Sequence, residues 1–530
     1  MGKAASVRVG RVRAAAVSAA LLLCALSAVG DDYAPRVADL RAAGQLPEAA
    51  ALACEWASEE PGSVDALRAC AELAFTVGRY AQAEEALRSL LFYAPTDPDV
   101  LVMLGEVLLG RGLFTQAREQ FEAAVTLAPE SGPAYAGLAR ATLRESDSPG
   151  DALAAAEVAV AIAPEHAPAH ASLGAALRRV GRLDEALAAL ERACEIEPAS
   201  APAAFELGLT WSLLGEAERS SEAWARVIEH APFSAEAWLL RNRLVIVELT
   251  EIIDRGFDAQ YSPDGTRIAY RARGDGGWGI YVIPAEGEPV ETRLWATESN
   301  LQSLAWSPDG SRIAALVTER AETEAAAQQW TRRLLLVPAD GPGEPTLVLE
   351  ENTLGEIAWN PASGNLGARM SVRRQGQTLV EIDPATGESR AIEGLAPRTP
   401  HYAPAWSPDG SLMLTARRSE QLPDGSFAYD LLVGPGGDFG SARIIHRCDQ
   451  LPRGTVFTPD ASAIIFARLD PESRLVSTWA LPTDGSRDPV LIDQGAGPQT
   501  TPSLSDDGRY LLTARETMLV RATLAGLRED

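Results

Sequence analysis

The chain has 530 residues, more than one hydrophobic core usually supports, so two domains are expected. Its net charge is −26, and acids exceed bases in both halves: 33 Asp and Glu against 15 Arg over residues 31–240, then 40 against 28 over residues 241–530. Nucleic acid is thereby a poor partner, because phosphate binding needs a basic surface, and the single lysine, Lys3, reads as compositional bias rather than function.

Residues 1–30 read as a cleaved export signal. Lys3, Arg8, Arg11 and Arg13 precede an apolar run from Ala14 to Val29, and Ala28-Val29-Gly30 offers small residues before Asp31-Asp32. A periplasmic or otherwise exported protein is the expectation. An uncleaved N-terminal anchor stays open, the run being short for a span; it is the one membrane attachment foreseen. Lipidation at Cys24 also stays open, although Leu21-Leu22-Leu23 replaces the small residue that such a signal wants.

Residues 31–243 carry a helical period. Pro61, Pro95, Pro129, Pro164, Pro198 and Pro232 fall 34, 34, 35, 34 and 34 residues apart. In the window ending at Pro129, Leu104-Gly105 lie on a first helix, Gly112 ends it, and Ala117, Phe121 and Ala124 lie on a second. Leu173-Gly174, Gly181, Ala186, Leu190 and Ala193 repeat this before Pro198. Small residues let two antiparallel helices approach, large ones fill the gap to the next hairpin, and each proline separates hairpins. These residues resemble the tetratricopeptide repeat, which implies a right-handed α-solenoid of six hairpins. The first copy is degenerate, and Ala235–Arg243, with Trp238, reads as a capping helix. Cys54 and Cys70, on adjacent helices, are the sensible disulfide pair in an oxidising compartment; buried thiols acting as small hydrophobes are the preferred reading.

From Leu244 the pattern changes to short β-branched runs with glycine and proline. Tyr-Ser-Pro-Asp-Gly at 261–265 recurs as Trp-Ser-Pro-Asp-Gly at 306–310 and 406–410, with degenerate copies at 359–364, 457–460 and 504–508. Proline sets φ in the turn and glycine supplies its left-handed residue. Short apolar strands follow each turn. The motif resembles the Pro-Asp repeat of TolB-like propellers, a WD40-like arrangement, and its six copies imply six four-stranded blades over residues 244–530. The sixth unit runs out of chain, so the orphan strand Leu244–Thr250 is expected to supply its outer strand and close the ring.

Catalytic motifs are not evident: there is no Gly-x-Ser-x-Gly, phosphate loop, Cys-x-x-Cys or His-Glu-x-x-His, and only five histidines. No cofactor, metal or catalytic residue is assigned. His166 and His170 have metal-like spacing, but Pro168 between them argues for a solvated pair. In the helical array the resemblance places Arg140, Arg144, Arg178 and Arg179 on the concave groove. Four guanidiniums in an acidic domain suit bidentate capture of a carboxylate, from acidic side chains or a free C-terminus. The plainer alternative is that they pair with neighbouring acids such as Glu145 or Asp184. In the propeller, Asp258, Ser303, Glu356, His401 and Thr501 precede the turns and are expected at one channel mouth. The aromatics before the turns, Trp306 among them, read as blade packing.

The reading is therefore a multidomain chain, α then β, acting as an exported, non-enzymatic protein-interaction scaffold of the cell envelope. One protein or peptide partner would lie in the groove and another on the propeller. The alternatives are a periplasmic ligand sensor and a propeller-based lyase or hydrolase.

Overall fold

The computed structural model describes residues 33–526, save 146–148, 321–329, 373–375, 396–398, 423–424, 437, 470–475, 497–500 and 516–517. The export-signal expectation and Cys24 lie outside the described residues. The chain divides into two compact units. One holds residues up to Trp211 with Arg226–Ala237; the other holds Ser212–Ala225 and everything from Trp238 onward.

Among the described residues thirteen helices run in chain order: α1 (33–42), α2 (Leu46–Glu59), α3 (Val64–Thr76), α4 (Tyr80–Tyr93), α5 (Pro98–Gly110), α6 (Phe114–Leu127), α7 (Gly132–Glu145), α8 (Pro149–Ile162), α9 (Ala167–Arg179), α10 (Leu183–Ile196), α11 (Ala201–Leu213), α12 (Ala217–His230) and α13 (Ala235–Arg241). They form a tetratricopeptide solenoid. From α2 to α10 each helix packs on the next. The turn inside a hairpin is made by a glycine in the left-handed region, as at Gly78 (φ 75°), Gly112 (φ 70°) and Gly181 (φ 79°). Between hairpins, the residue two past the proline caps the next helix. Ser63, Asp97 and Ser131 each accept a backbone N–H of the following turn, from Ala66, Val100 and Ala134.

Small residues fix the spacing of the hairpins. Phe121 is fully buried between Gly105 of its own hairpin and Gly137 of the next, and a Cβ at either glycine would lie within 3 Å of its ring. Cys54 and Cys70 form a disulfide between α2 and α3, which corrects the preference for free thiols. The division falls inside α13, and within the second unit Trp238 receives the Arg487 guanidinium over its ring at 5.8 Å.

The second unit is a six-bladed β-propeller, six sheets of four strands. An outer strand β1 (Val245–Ile253) comes first. Blade 1 follows with β2 (Phe257–Tyr261), β3 (Arg267–Gly274), β4 (Gly277–Pro284) and β5 (Thr292–Thr297). Blade 2 has β6 (Asn300–Trp306), β7 (Arg312–Arg320), β8 (Trp330–Pro338) and β9 (Thr346–Glu350). Blade 3 has β10 (Gly355–Trp359), β11 (Leu366–Val372), β12 (Gly376–Ile382) and β13 (Ser389–Ala391). Blade 4 has β14 (His401–Trp406), β15 (Leu412–Gln421), β16 (Phe427–Pro435) and β17 (Arg443–Cys448). Blade 5 has β18 (Arg453–Phe457), β19 (Ala463–Leu469), β20 (Val476–Pro482) and β21 (Val490–Ala496). Blade 6 has β22 (Ser503–Leu504), β23 (Tyr510–Arg515) and β24 (Met518–Ala525). Strand β1 pairs antiparallel with β24, from Val245 opposite Ala525 to Ile253 opposite Leu519, and so supplies the outer strand missing from blade 6.

Each Pro-Asp turn is locked by its own side chains. The Ser262 hydroxyl donates to Asp264 Oδ1 at 2.6 Å and accepts the Arg267 N–H at 2.9 Å, while Asp264 accepts the Thr266 N–H at 3.1 Å. Ser307 with Asp309 and Ser407 with Asp409 repeat this, and the hydroxyl bonds hold all three carboxyls down to about 2. The tryptophans join the blades: Trp306 Nε1 donates to the Gln260 carbonyl at 3.2 Å and Trp359 Nε1 to the Ala305 carbonyl at 3.0 Å. Arginines do likewise. Arg271 reaches the Leu301 carbonyl, Arg443 the Thr483 and Asp484 carbonyls, and Arg521 the Ala285 carbonyl. A guanidinium presents several donors in a fixed fork, so it spans a blade gap that one ammonium would bridge less well.

Candidate functional site

The helical array sorts the four arginines Arg140, Arg144, Arg178 and Arg179 into two pairs. Arg140 on α7 is ion-paired with Glu106 on α5, and both side chains are about three-quarters buried. Arg178 on α9 donates through Nε and Nη2 to Glu206 Oε2 on α11, at 2.9 and 2.7 Å, again largely buried. These are inter-repeat struts, and a partly buried pair with two donors is stiffer than a surface one. The acids are Glu106 and Glu206 and not Glu145 or Asp184; Glu145 receives Arg118 instead. A signal for the first pair was present in the sequence: Glu106 and Arg140 are 34 residues apart, one repeat period, so they occupy the same column of neighbouring hairpins.

Arg144 and Arg179 are different. Both are exposed. Among the described residues, neither has an ion-pair partner. Desolvation by surrounding atoms nonetheless pulls the Arg144 guanidinium below its usual range; Glu206 and Glu236 oppose this, and the like charges of Arg178 and Arg179 add to it. Close by, burial and Arg140 depress His166, whose Nδ1 is buried without a partner, while His170 Nε2 lies 2.8 Å from the Pro164 carbonyl. The two histidines are therefore not turned to one metal. Among the described residues no group of three His, Cys, Asp or Glu side chains could hold an ion, and no helix is long and apolar enough to cross a membrane.

The innermost strands β2, β6, β10, β14 and β18 succeed one another around the propeller, and β22 returns to β2. Asp258, Ser303 and Glu356 each stand three residues before a turn aromatic, and Thr501 three before Leu504. All four are half-buried at equivalent places in the ring. Asp258 has a left-handed backbone (φ 50°) and accepts Arg271 Nε at 2.5 Å and the Thr501 hydroxyl at 3.1 Å, which joins the last blade to the first. Gly454, at the same place in blade 5 and also at φ 50°, lies against Thr501. Glu356 pairs with Arg369 at 3.1 Å, and Arg369 covers the Tyr402 ring. Both acid–arginine pairs are 13 residues apart, a spacing the sequence displayed but which carries meaning only once the strand pairing is known. His401 does not share that place in its blade. It is 2% exposed and stands five residues before Trp406, where blades 2 and 3 have the fully buried Leu301 and Leu354.

Comparison with known proteins agrees with the helical repeats. Residues 69–136 and 167–200 match tetratricopeptide-repeat families. A thermophilic tetratricopeptide-repeat protein of Thermus thermophilus, TTC0263, is 23% identical, with 32% of this chain and 92% of that one aligned at a TM-score of 0.30. TolB from Acinetobacter baumannii is 14% identical over 50% of this chain and 66% of its own, at a TM-score of 0.37. A 109-residue stretch is 32% identical to tricorn protease homolog 1 of Streptomyces coelicolor, and takes in 21% of this chain but only 10% of that relative's length.

Proposed function

We propose that the chain is an exported, non-enzymatic scaffold of the bacterial cell envelope that holds one partner in its helical groove and a second on its propeller. The observation that carries this reading is the contrast within the groove: Arg140 and Arg178 are committed to Glu106 and Glu206, while Arg144 and Arg179 are exposed cations without a carboxylate among the described residues. The ligand they suit is a carboxylate, as an acidic side chain or a free C-terminus, held by forked hydrogen bonds. The struts on either side keep the two helices in register, so the free guanidiniums are presented without much ordering cost. A second site on the propeller would raise the effective concentration of one partner for the other. The disulfide between α2 and α3, joining cysteines 16 residues apart, supports an oxidising compartment.

The test is fluorescence polarisation of the full chain with a labelled acidic peptide that has a free C-terminal carboxylate, beside its amidated form. Replacing Arg144 and Arg179 together by alanine is expected to weaken binding at least about tenfold, since each charge-assisted bond contributes about 1.5–3 kcal/mol, and to leave the melting temperature alone. Arg140→Ala with Arg178→Ala should instead lower the melting temperature. Unchanged affinity in the first variant would remove the groove from the scaffold reading.

A further inference from the structure

Blade 4 carries an unbroken row of ionisable groups from the ring's centre to its rim. His401 on β14 is the register partner of Arg417 on β15, Arg417 of Asp430 on β16, and Asp430 of Arg447 on β17. In blade 2 the two inner places of that row belong to Leu301 and Val317, both fully buried. The outer part of the blade 4 row is satisfied. Arg417 donates to Asp430 Oδ2 at 2.8 Å, Arg447 donates to Asp430 Oδ1 at 2.9 Å, and Arg447 also reaches Glu420 at 3.1 Å. Asp430, 1% exposed, has thus committed both oxygens to guanidiniums. The inner end is not satisfied: neither ring nitrogen of the buried His401 has a hydrogen-bond partner among the described residues.

A neutral imidazole is tolerated in this position because it is close to a leucine in bulk and carries no charge. An imidazolium is not, for two reasons. The site is closed to water, so a charge there lacks solvation. The nearest charge is also Arg417, a cation, and Asp430, the buried carboxylate of the row, is already used. The acids on the strands packed against β14 are already engaged: Glu356 of β10 pairs with Arg369 of β11, Glu381 of β12 accepts the Asn360 amide, and Glu420 of β15 accepts Arg447, while β18 carries Arg453.

We propose that His401 is a proton-sensitive latch of the propeller: neutral, it seats β14 in the ring; charged, it unseats that strand and opens blade 4. Burial first, and Arg417 second, push its pKa down to about 4 from the ordinary 6.5. The native state therefore binds fewer protons than the unfolded one between those values. The stability His401 permits is complete above about 6.5 and falls progressively as the pH drops towards 4.

The experiment is thermal melting of the full chain from pH 7.5 to pH 4.5, for wild type, His401→Leu and His401→Gln. Leucine is what blades 2 and 3 use, and glutamine keeps a polar group that does not titrate. Carboxylate titration is common to all three proteins, so the difference between curves isolates His401. Wild type is expected to lose about 5 °C more than either variant over this range, and hydrogen exchange in peptides spanning 401–417 should loosen first. Parallel pH curves for the three proteins would overturn the proposal. If neither variant folds, the wild type still decides: with only five histidines in the chain, an imidazole resonance of His401 titrating near 6.5 without loosening of β14 rejects the latch, and one absent until the blade opens supports it.

Discussion

In the helical array every hairpin is held by the hairpins before and after it, and its ion pairs join residues about one repeat apart, Glu106 to Arg140 and Arg178 to Glu206. In the propeller the decisive pairing joins residues 275 apart, Glu248 on β1 and Thr523 on β24. Both modules are built from repeats, yet they answer damage differently. An array of nearest neighbours can lose a contact and fray locally. A closed ring has no free edge until one joint opens, and then every blade next to that joint gains one.

The sharpest way to break this comparison is to open the ring at its closure. Successive residues of a strand turn their N–H groups alternately towards and away from the partner. A Leu249→Pro, Thr250→Pro double substitution therefore removes at least one N–H that pairs with β24, opposite Ala522 or Arg521. The expected cost is roughly 3 kcal/mol, read as a lower melting temperature of the propeller. Hydrogen exchange should rise in β24 and β23 and in blade 1, with peptides from α3 to α10 unchanged. An effect confined to β1 would mean that the ring does not share load.

The counterpart in the array is Gly137→Ala. A Cβ there would overlap Phe121 Cε1, in a core where the phenyl ring is fully buried and already packs against Gly105. Overpacking of this kind costs about 1–3 kcal/mol. The loss should stay within α5 to α8, seen as faster exchange there and native protection in α3 and α4. Spread to the first hairpins would show that the solenoid melts as one unit.

How much of this was legible follows the same division. Period and turn chemistry are written locally, so the prolines, Gly112, Gly181 and the Ser-Pro-Asp-Gly copies located hairpins and blades. The closing strand was also legible, because Leu244–Thr250 had no partner in its own blade. What sequence did not disclose depends on which strands or helices become neighbours. The commitment of Arg140 and Arg178, the left-handed Asp258 and the burial of His401 all arise from residues brought together across repeats. The burial of His401 becomes visible only once its strand is aligned with those of blades 2 and 3, where the same place holds Leu301 and Leu354. Sequence also singles out Cys54 and Cys70 as the pair, but whether two helices bring thiols to bonding range is a matter of packing.

The smallest expected effect tests whether the six turns are truly equivalent. Five hold glycine in the left-handed region, with φ of 69° at Gly265, 67° at Gly310, 72° at Gly364, 71° at Gly410 and 67° at Gly508; the sixth holds Ala461 at φ 57°. An L-residue there costs about 1–2 kcal/mol, against roughly 0.5–1 kcal/mol of extra backbone entropy that a glycine loses on folding. Ala461→Gly should therefore raise the melting temperature of the propeller by about 1–3 °C. The reverse change is not its mirror image. A Cβ at Gly410 would meet the Ala362 Cβ at 2.5 Å, whereas one at Gly265 has nothing nearer than 4.0 Å. Gly410→Ala should thus cost more than Gly265→Ala, although the two turns share motif, dihedral and hydrogen bonds. The difference comes from the adjoining blade, and so the turn is a local device whose tolerance is set by its neighbour in the ring.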